Sequence, residues 1–164
     1  MKQIRSIIRN IRWKTMGISV AIPLAVGALS ALLTAGSMGT YGAIKRPPLS
    51  PPGAVFPIVW TILFLLMGIS CYFIYSAPDS GKKQIALRLY LIQLAVNFVW
   101  PLLFFNAQAF GLAFVWLLLL WGLVVAMLFA FYDVAPLAAW LQLPYLLWLT
   151  FAAYLSFGVL LLNV

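Results

Sequence analysis

The sequence predicts an all-α integral membrane protein. It forms one domain, a bundle of five transmembrane helices with a long proline-rich first connection as a lid. Three observations carry that prediction. First, 66% of the 164 residues are hydrophobic, only 7% are charged, and the mean hydropathy is +1.11. An ordinary soluble domain is about 25% charged, and so few charges cannot cover a water-exposed surface. Second, the charges cut the chain into long uncharged intervals. There are 30 residues between Lys14 and Lys45, 32 between Arg46 and Asp79, 44 between Arg88 and Asp133, and 31 after Asp133. A helix crosses the hydrocarbon with about 20 apolar residues, so the longest interval holds two crossings and each of the others one. Third, runs such as Leu117-Leu118-Leu119-Leu120 are apolar on every side. Barrel strands alternate in polarity, and a uniformly apolar backbone satisfies itself in lipid only as a helix.

Each element has its own signal. Residues 1–15 form a basic amphipathic segment, with Lys2, Arg5, Arg9 and Arg12 on one helical face and Ile4, Ile7, Ile8 and Ile11 on another. It suits an anionic lipid surface, or serves as a charge block that sets topology. The first helix spans about 16–37. It is read as a retained span because its apolar run exceeds the roughly 7–15 residues of a signal peptide. Gly27, Ala31, Ala35 and Gly39 add a small-residue stripe where a neighbouring helix approaches.

The connection from Gly36 to Gly53 is 18 residues long and carries Pro47, Pro48, Pro51 and Pro52. Connections of about 2–8 residues are usual in bundles. Proline fixes φ, so this one is stiff: a lid, or a rigid spacer that starts the second helix. In the second helix, about 54–76, Phe56, Trp60 and Phe64 stand four apart on one face. Such a stripe serves packing, a lipid-facing belt or an aromatic wall.

In the third helix, about 84–105, Gln93, Asn97 and Trp100 share a face. An amide in hydrocarbon needs a partner, so this face turns inward, as interhelical glue or as ligand contacts. A tight turn near Asn106–Gln108 leads to the fourth helix, about 109–131, and the fifth spans about 135–161. There Trp148 and Ala152 stand four apart, an indole beside a small residue. That is the shape of a slot for a flat ligand or of a close helix contact. Eight Lys or Arg fall on one side of this topology and two, Lys45 and Arg46, on the other, which predicts a cytoplasmic amino terminus.

The absences are equally informative. With no His and a single Cys, neither a multi-ligand transition-metal site nor a His-activated nucleophile can be built. The two carboxylates, Asp79 and Asp133, flank turn-like stretches and do not make an acid–base pair. The spans carry none of the charges that mark coupled transport. No cofactor is required and no nucleic-acid partner is expected.

Three blocks of residues, in order, resemble the translocator protein family (TspO/MBR), also called tryptophan-rich sensory proteins. The first is Tyr41, Lys45/Arg46-Pro47, Pro51-Pro52, Phe56, Val59-Trp60-Thr61 and Met67-Gly68. The second is Gln93-Leu94, Asn97, Trp100 and Phe104-Phe105. The third is Ala139-Trp140-Leu141, Pro144-Tyr145, Trp148, Phe151-Ala152, Tyr154-Leu155 and Asn163.

The resemblance implies a five-helix bundle, often a homodimer, with a pocket beneath the first connection. It implies a membrane receptor or sensor for flat hydrophobic ligands such as porphyrins and isoquinoline carboxamide-type compounds. Light-dependent porphyrin degradation and porphyrin transport are the alternatives. Carried over by position, Tyr41, Pro51, Trp60, Phe64, Asn97, Phe104, Trp148 and Ala152 line the pocket, with Pro47, Pro52, Phe56, Trp100 and Phe151 joining them. Trp60 and Trp148 match the tryptophans assigned to porphyrin photochemistry.

Two departures stand out. Leu49 occupies a place where the family usually has Trp, and no Lys or Arg follows Tyr154, so the sterol-recognition pattern is absent. Without His, a metal-free porphyrin held by stacking is the better ligand, with Lys45 or Arg46 meeting its propionates. The expected location is a bacterial plasma membrane, with lipid as the surrounding partner.

Overall fold

Five helices are long and apolar enough to cross a membrane: Trp13–Ser37, Val55–Ser76, Gly81–Asn106, Phe110–Val134 and Pro136–Asn163. They come from a computed structural model that describes residues 11–37 and 39–163. Most of the basic amphipathic segment, and the side chain of Tyr41, lie outside the described residues. The helices are α1 (Trp13–Thr34, extended by a 3-10 turn at Ala35–Ser37), α2 (Gly39–Ala43), α3 (Val55–Ser76), α4 (Gly81–Pro101), α5 (Phe110–Val134), α6 (Pro136–Trp140) and α7 (Leu143–Asn163). No strand occurs among the described residues.

The helices close a ring. α1 packs on α3 and α4, α4 on α5, α5 on α7, and α6 joins back to α3. The core is built chiefly on α5, where Ala113, Leu117, Leu120, Val124, Met127 and Phe131 are buried. Their alternating spacing of four and three makes one continuous stripe. Leu63, Met67 and Ile74 of α3 and Leu149 of α7 pack into the same cluster.

Prolines and a cap account for the departures from the expected helix bounds. The fifth span was expected as one helix and is two. Pro144 has no N–H for the carbonyl of Trp140, so the chain turns over Leu141–Gln142. There Gln142 N donates to Ala139 O at 2.9 Å, and Ser70 Oγ from α3 donates to Ala138 O at 2.7 Å. α4 begins earlier than expected because Ser80 caps it, its Oγ accepting from Lys83 N at 3.2 Å. After Pro101 its last turn widens into a π-turn at Leu102–Asn106.

Close approach of α1 and α3 depends on one glycine. A Cβ on Gly68 would strike the Val20 backbone and stand 2.9 Å from Ser19 O. That carbonyl has no helical donor, because the residue four positions on is Pro23. The small-residue stripe of α1 serves contact at Gly27, which faces the Phe64 ring, whereas Ala35 and Gly39 are exposed. At the end of the bundle where α1 begins, Arg12 N donates to Tyr72 Oη at 3.0 Å. Two ion pairs sit there as well, Lys82–Asp133 and Lys83–Asp79, each at 2.9 Å. Lys83 holds the Asp79 carboxyl below the usual carboxylate range, first by hydrogen bonding and then by its charge.

Candidate functional site

The stiff connection is fastened along α7. Asn163 Oδ1 accepts from Lys45 N at 2.9 Å, and its Nδ2 donates to Lys45 O at 2.8 Å. Tyr154 Oη donates to Pro48 O at 2.8 Å. Pro47 is buried against Gly158, where a Cβ would collide with the pyrrolidine ring. The segment then turns sharply. Leu49 takes φ 66° and is exposed, and Ser50 Oγ donates to Pro47 O at 2.7 Å. The turn brings Ser50 and Gly53 over a cavity of about 430 Å³.

Four helices wall this cavity. α1 supplies Gly27, Ser30, Ala31 and Thr34; α3 supplies Phe56, Pro57, Trp60 and Phe64. α4 and its π-turn add Asn97, Trp100, Pro101, Phe104 and Phe105, and α7 adds Ala152, Leu155, Ser156 and Val159. The rings lock one another. Trp100 stacks on Phe104 with centroids 5.0 Å apart, and Trp60 lies 5.5 Å from Phe64 and 6.1 Å from Tyr145. Trp100 Nε1 donates to Ala113 O at 3.0 Å, so its indole is fixed by hydrogen bonding as well as by packing.

Polar groups are few and placed at two levels. Deep in the bundle, Asn97 Nδ2 donates to Tyr145 Oη at 2.8 Å, and that hydroxyl donates to Gln93 Oε1 at 3.0 Å. All three residues are buried, and the chain of bonds pairs Asn97 Nδ2 and Gln93 Oε1, whereas Gln93 Nε2 finds no hydrogen-bond partner among the described residues. Nearer the connection, Ser30, Thr34 and Ser156 face one another across the hollow from α1 and α7. Thr34 Oγ1 donates to Ser30 O at 2.9 Å, whereas Ser156 Oγ finds no hydrogen-bond partner among the described residues.

Of the residues singled out in the sequence, Phe56, Trp60, Phe64, Asn97, Trp100, Phe104 and Ala152 line this cavity. Trp148 does not. It sits at the seam between α3 and α7, 5.9 Å edge-on to Phe56 and 5.7 Å from Phe151. Four residues advance a helix by about 400°, so successive members of the stripe drift about 40°. Ala152 therefore meets the hollow while the indole one turn away backs its wall. Phe151 stacks on Tyr154 at 6.2 Å, outside the lining. Pro47 and Pro51 shape the connection, and Pro52 is exposed on it. Tyr41 falls in α2, its side chain outside the described residues.

The sequence reading missed Ser30, Thr34, Ser156 and Tyr145. Ser30 and Thr34 carried a usable signal, two hydroxyls four apart in an apolar helix, continuing the face of Gly27. Tyr145 carried none by itself, because its partners lie 48 and 52 residues away.

The model of the TspO/MBR family matches residues 19–162. A translocator protein of Ovis aries is 41% identical over 119 residues, covering 71% of this chain and 70% of its own. A tryptophan-rich protein TspO of Chlorobaculum tepidum is 34% identical over 151 residues, covering 91% and 96%. A tryptophan-rich sensory protein of Cereibacter sphaeroides is 34% identical over 123 residues, covering 75% and 76%.

Proposed function

The chain belongs to the TspO/MBR family, and from that premise we propose that it is a membrane receptor or sensor for flat hydrophobic ligands, tetrapyrroles foremost. The ligand enters the cavity beneath the fastened connection. One observation carries this reading: a hollow of about 430 Å³ walled by the rings of Phe56, Trp60, Phe64, Trp100 and Phe104. Small-molecule sites run from about 300 to 1,000 Å³ and combine an apolar wall with a few orienting polar groups. Offset stacking on indole and phenyl faces suits a macrocycle. Asn97 and Ser156 are the polar groups that orient it. Lys45 or Arg46, on the connection, meets its carboxylates.

Saturable quenching of tryptophan fluorescence by a metal-free porphyrin tests the assignment. Trp60→Ala and Phe104→Ala each weaken binding by about tenfold, the effect of removing roughly 1.4 kcal/mol of contact. Trp148→Ala, acting through Phe56, weakens it less. Unchanged affinity in both of the first two variants would place the ligand elsewhere.

We propose that the chain sits in a bacterial plasma membrane with its amino terminus in the cytoplasm, the orientation that eight Lys or Arg on one side against two on the other supports. A carboxyl-terminal reporter that is active only outside the cytoplasm reads this out.

A further inference from the structure

A second hollow lies at the opposite end of the bundle. The break before Pro144 separates α6 from α7, and both pack on α5. A groove of about 360 Å³ opens there, lined by Leu128, Phe129 and Tyr132 of α5 and by Ala139, Trp140 and Leu143 across the break. Every lining residue is apolar or aromatic. Phe129, Tyr132 and Trp140 are exposed, so the groove faces outward at membrane depth and not into the ring.

Its mouth is of a different character. Tyr132 Oη and Trp140 Nε1 make no hydrogen bond among the described residues, and amphipathic rings of this kind settle at headgroup level. The next residue on α5, Asp133, holds Lys82 at 2.9 Å, with both side chains more than half exposed. The same end carries Arg12, Lys14, Lys83 and Arg88, and the sequence adds Lys2, Arg5 and Arg9. The whole chain has only two carboxylate side chains, Asp79 and Asp133, and Lys83 and Lys82 already engage both. The surplus of cations at this end therefore has no acidic side chain within the chain to meet.

We propose that this groove is a binding site for an anionic phospholipid, with an acyl chain between α5 and the α6–α7 break and the headgroup at Lys82. An acyl chain fits a slot with no polar lining. The phosphate takes donors that Lys82 leaves free beside Asp133, since an ammonium has three. A second protein copy fits less well, because it would have to bury an exposed ion pair at the lip of the groove.

The test uses the full chain in phosphatidylcholine bilayers doped with lipid brominated on its acyl chains, with tryptophan fluorescence as readout. Brominated phosphatidylglycerol quenches at lower mole fraction than brominated phosphatidylcholine. The preference is about fivefold, the worth of one lysine near an anionic surface. Lys82→Gln abolishes the preference and Asp133→Asn, which frees Lys82, increases it. Trp140→Phe removes the selective part of the quenching. Val125 of α5 also lines the groove, and Val125→Phe, which fills it, removes the preference while circular dichroism confirms the helices are retained.

Equal quenching by the two lipids overturns the proposal. So does a phosphatidylglycerol preference that survives both Trp140→Phe and Val125→Phe, because the lipid then sits elsewhere on the basic end. Loss of the selective quenching as protein density rises, with cross-linking through the groove, assigns it to a second copy and also overturns the proposal.

Discussion

At the residue scale, one hydroxyl organises the buried amides. Tyr145 Oη accepts from Asn97 and donates to Gln93, so both of its roles are used. Tyr145→Phe leaves two amide groups unpaired in an apolar interior and lowers stability by about 1–3 kcal/mol, measurable as thermal unfolding in detergent. Two glycines separate structure from ligand space. Gly68→Val drives a side chain into the Val20 backbone, which cannot yield without parting α1 from α3, and costs about 1–3 kcal/mol. Gly27→Ala meets the Phe64 ring first, a side chain that lines the cavity. It reduces porphyrin affinity in the quenching titration more than it reduces stability. Gln93 and Asn97 were legible in the sequence as inward-facing because an amide facing lipid has no partner at all. Which group pairs them was not, since periodicity describes one helix and the partner stands on another.

At the element scale, the connection chooses between spacer and lid through its contacts with α7. Asn163 clamps the Lys45 peptide from both sides, and Tyr154 holds Pro48. Asn163→Ala removes both clamping bonds, so amide exchange along residues 44–53 accelerates and bound porphyrin dissociates faster while the helices persist. The prolines made the stiffness readable in advance. The fastening was not readable, because it joins residues 118 apart. The fifth span shows the opposite lesson. Pro144 was visible, but its apolar surroundings read as one helix. Ser70, which takes up the carbonyl of Ala138, makes the break affordable in lipid. Ser70→Ala leaves that carbonyl without its side-chain donor and costs about 1 kcal/mol.

For the whole molecule, composition and charge spacing specified the five spans, because the bilayer allows so few alternatives for an uncharged run of 30 residues. They said nothing of the ring order, which depends on packing between distant segments. The same composition governs the response to pH. There is no His, and the ionisable pairs at the basic end are surface carboxylates with lysines. Asp79 has its pKa lowered by Lys83, so its contribution is in place above the ordinary carboxylate range and fades as pH falls through the lowered value. The Tm stays flat between about pH 5 and pH 8, where only an unperturbed His would titrate among side chains. It declines in acid. A Tm that moves across neutrality would show that another group controls the fold.

The clamp at Asn163 also imposes an order on biosynthesis. Its two halves are made 118 residues apart, so the vestibule stays unlatched until the fifth span has left the ribosome and entered the bilayer. Any small molecule present while the earlier spans are being inserted meets an open doorway, and arrival of Asn163 closes it.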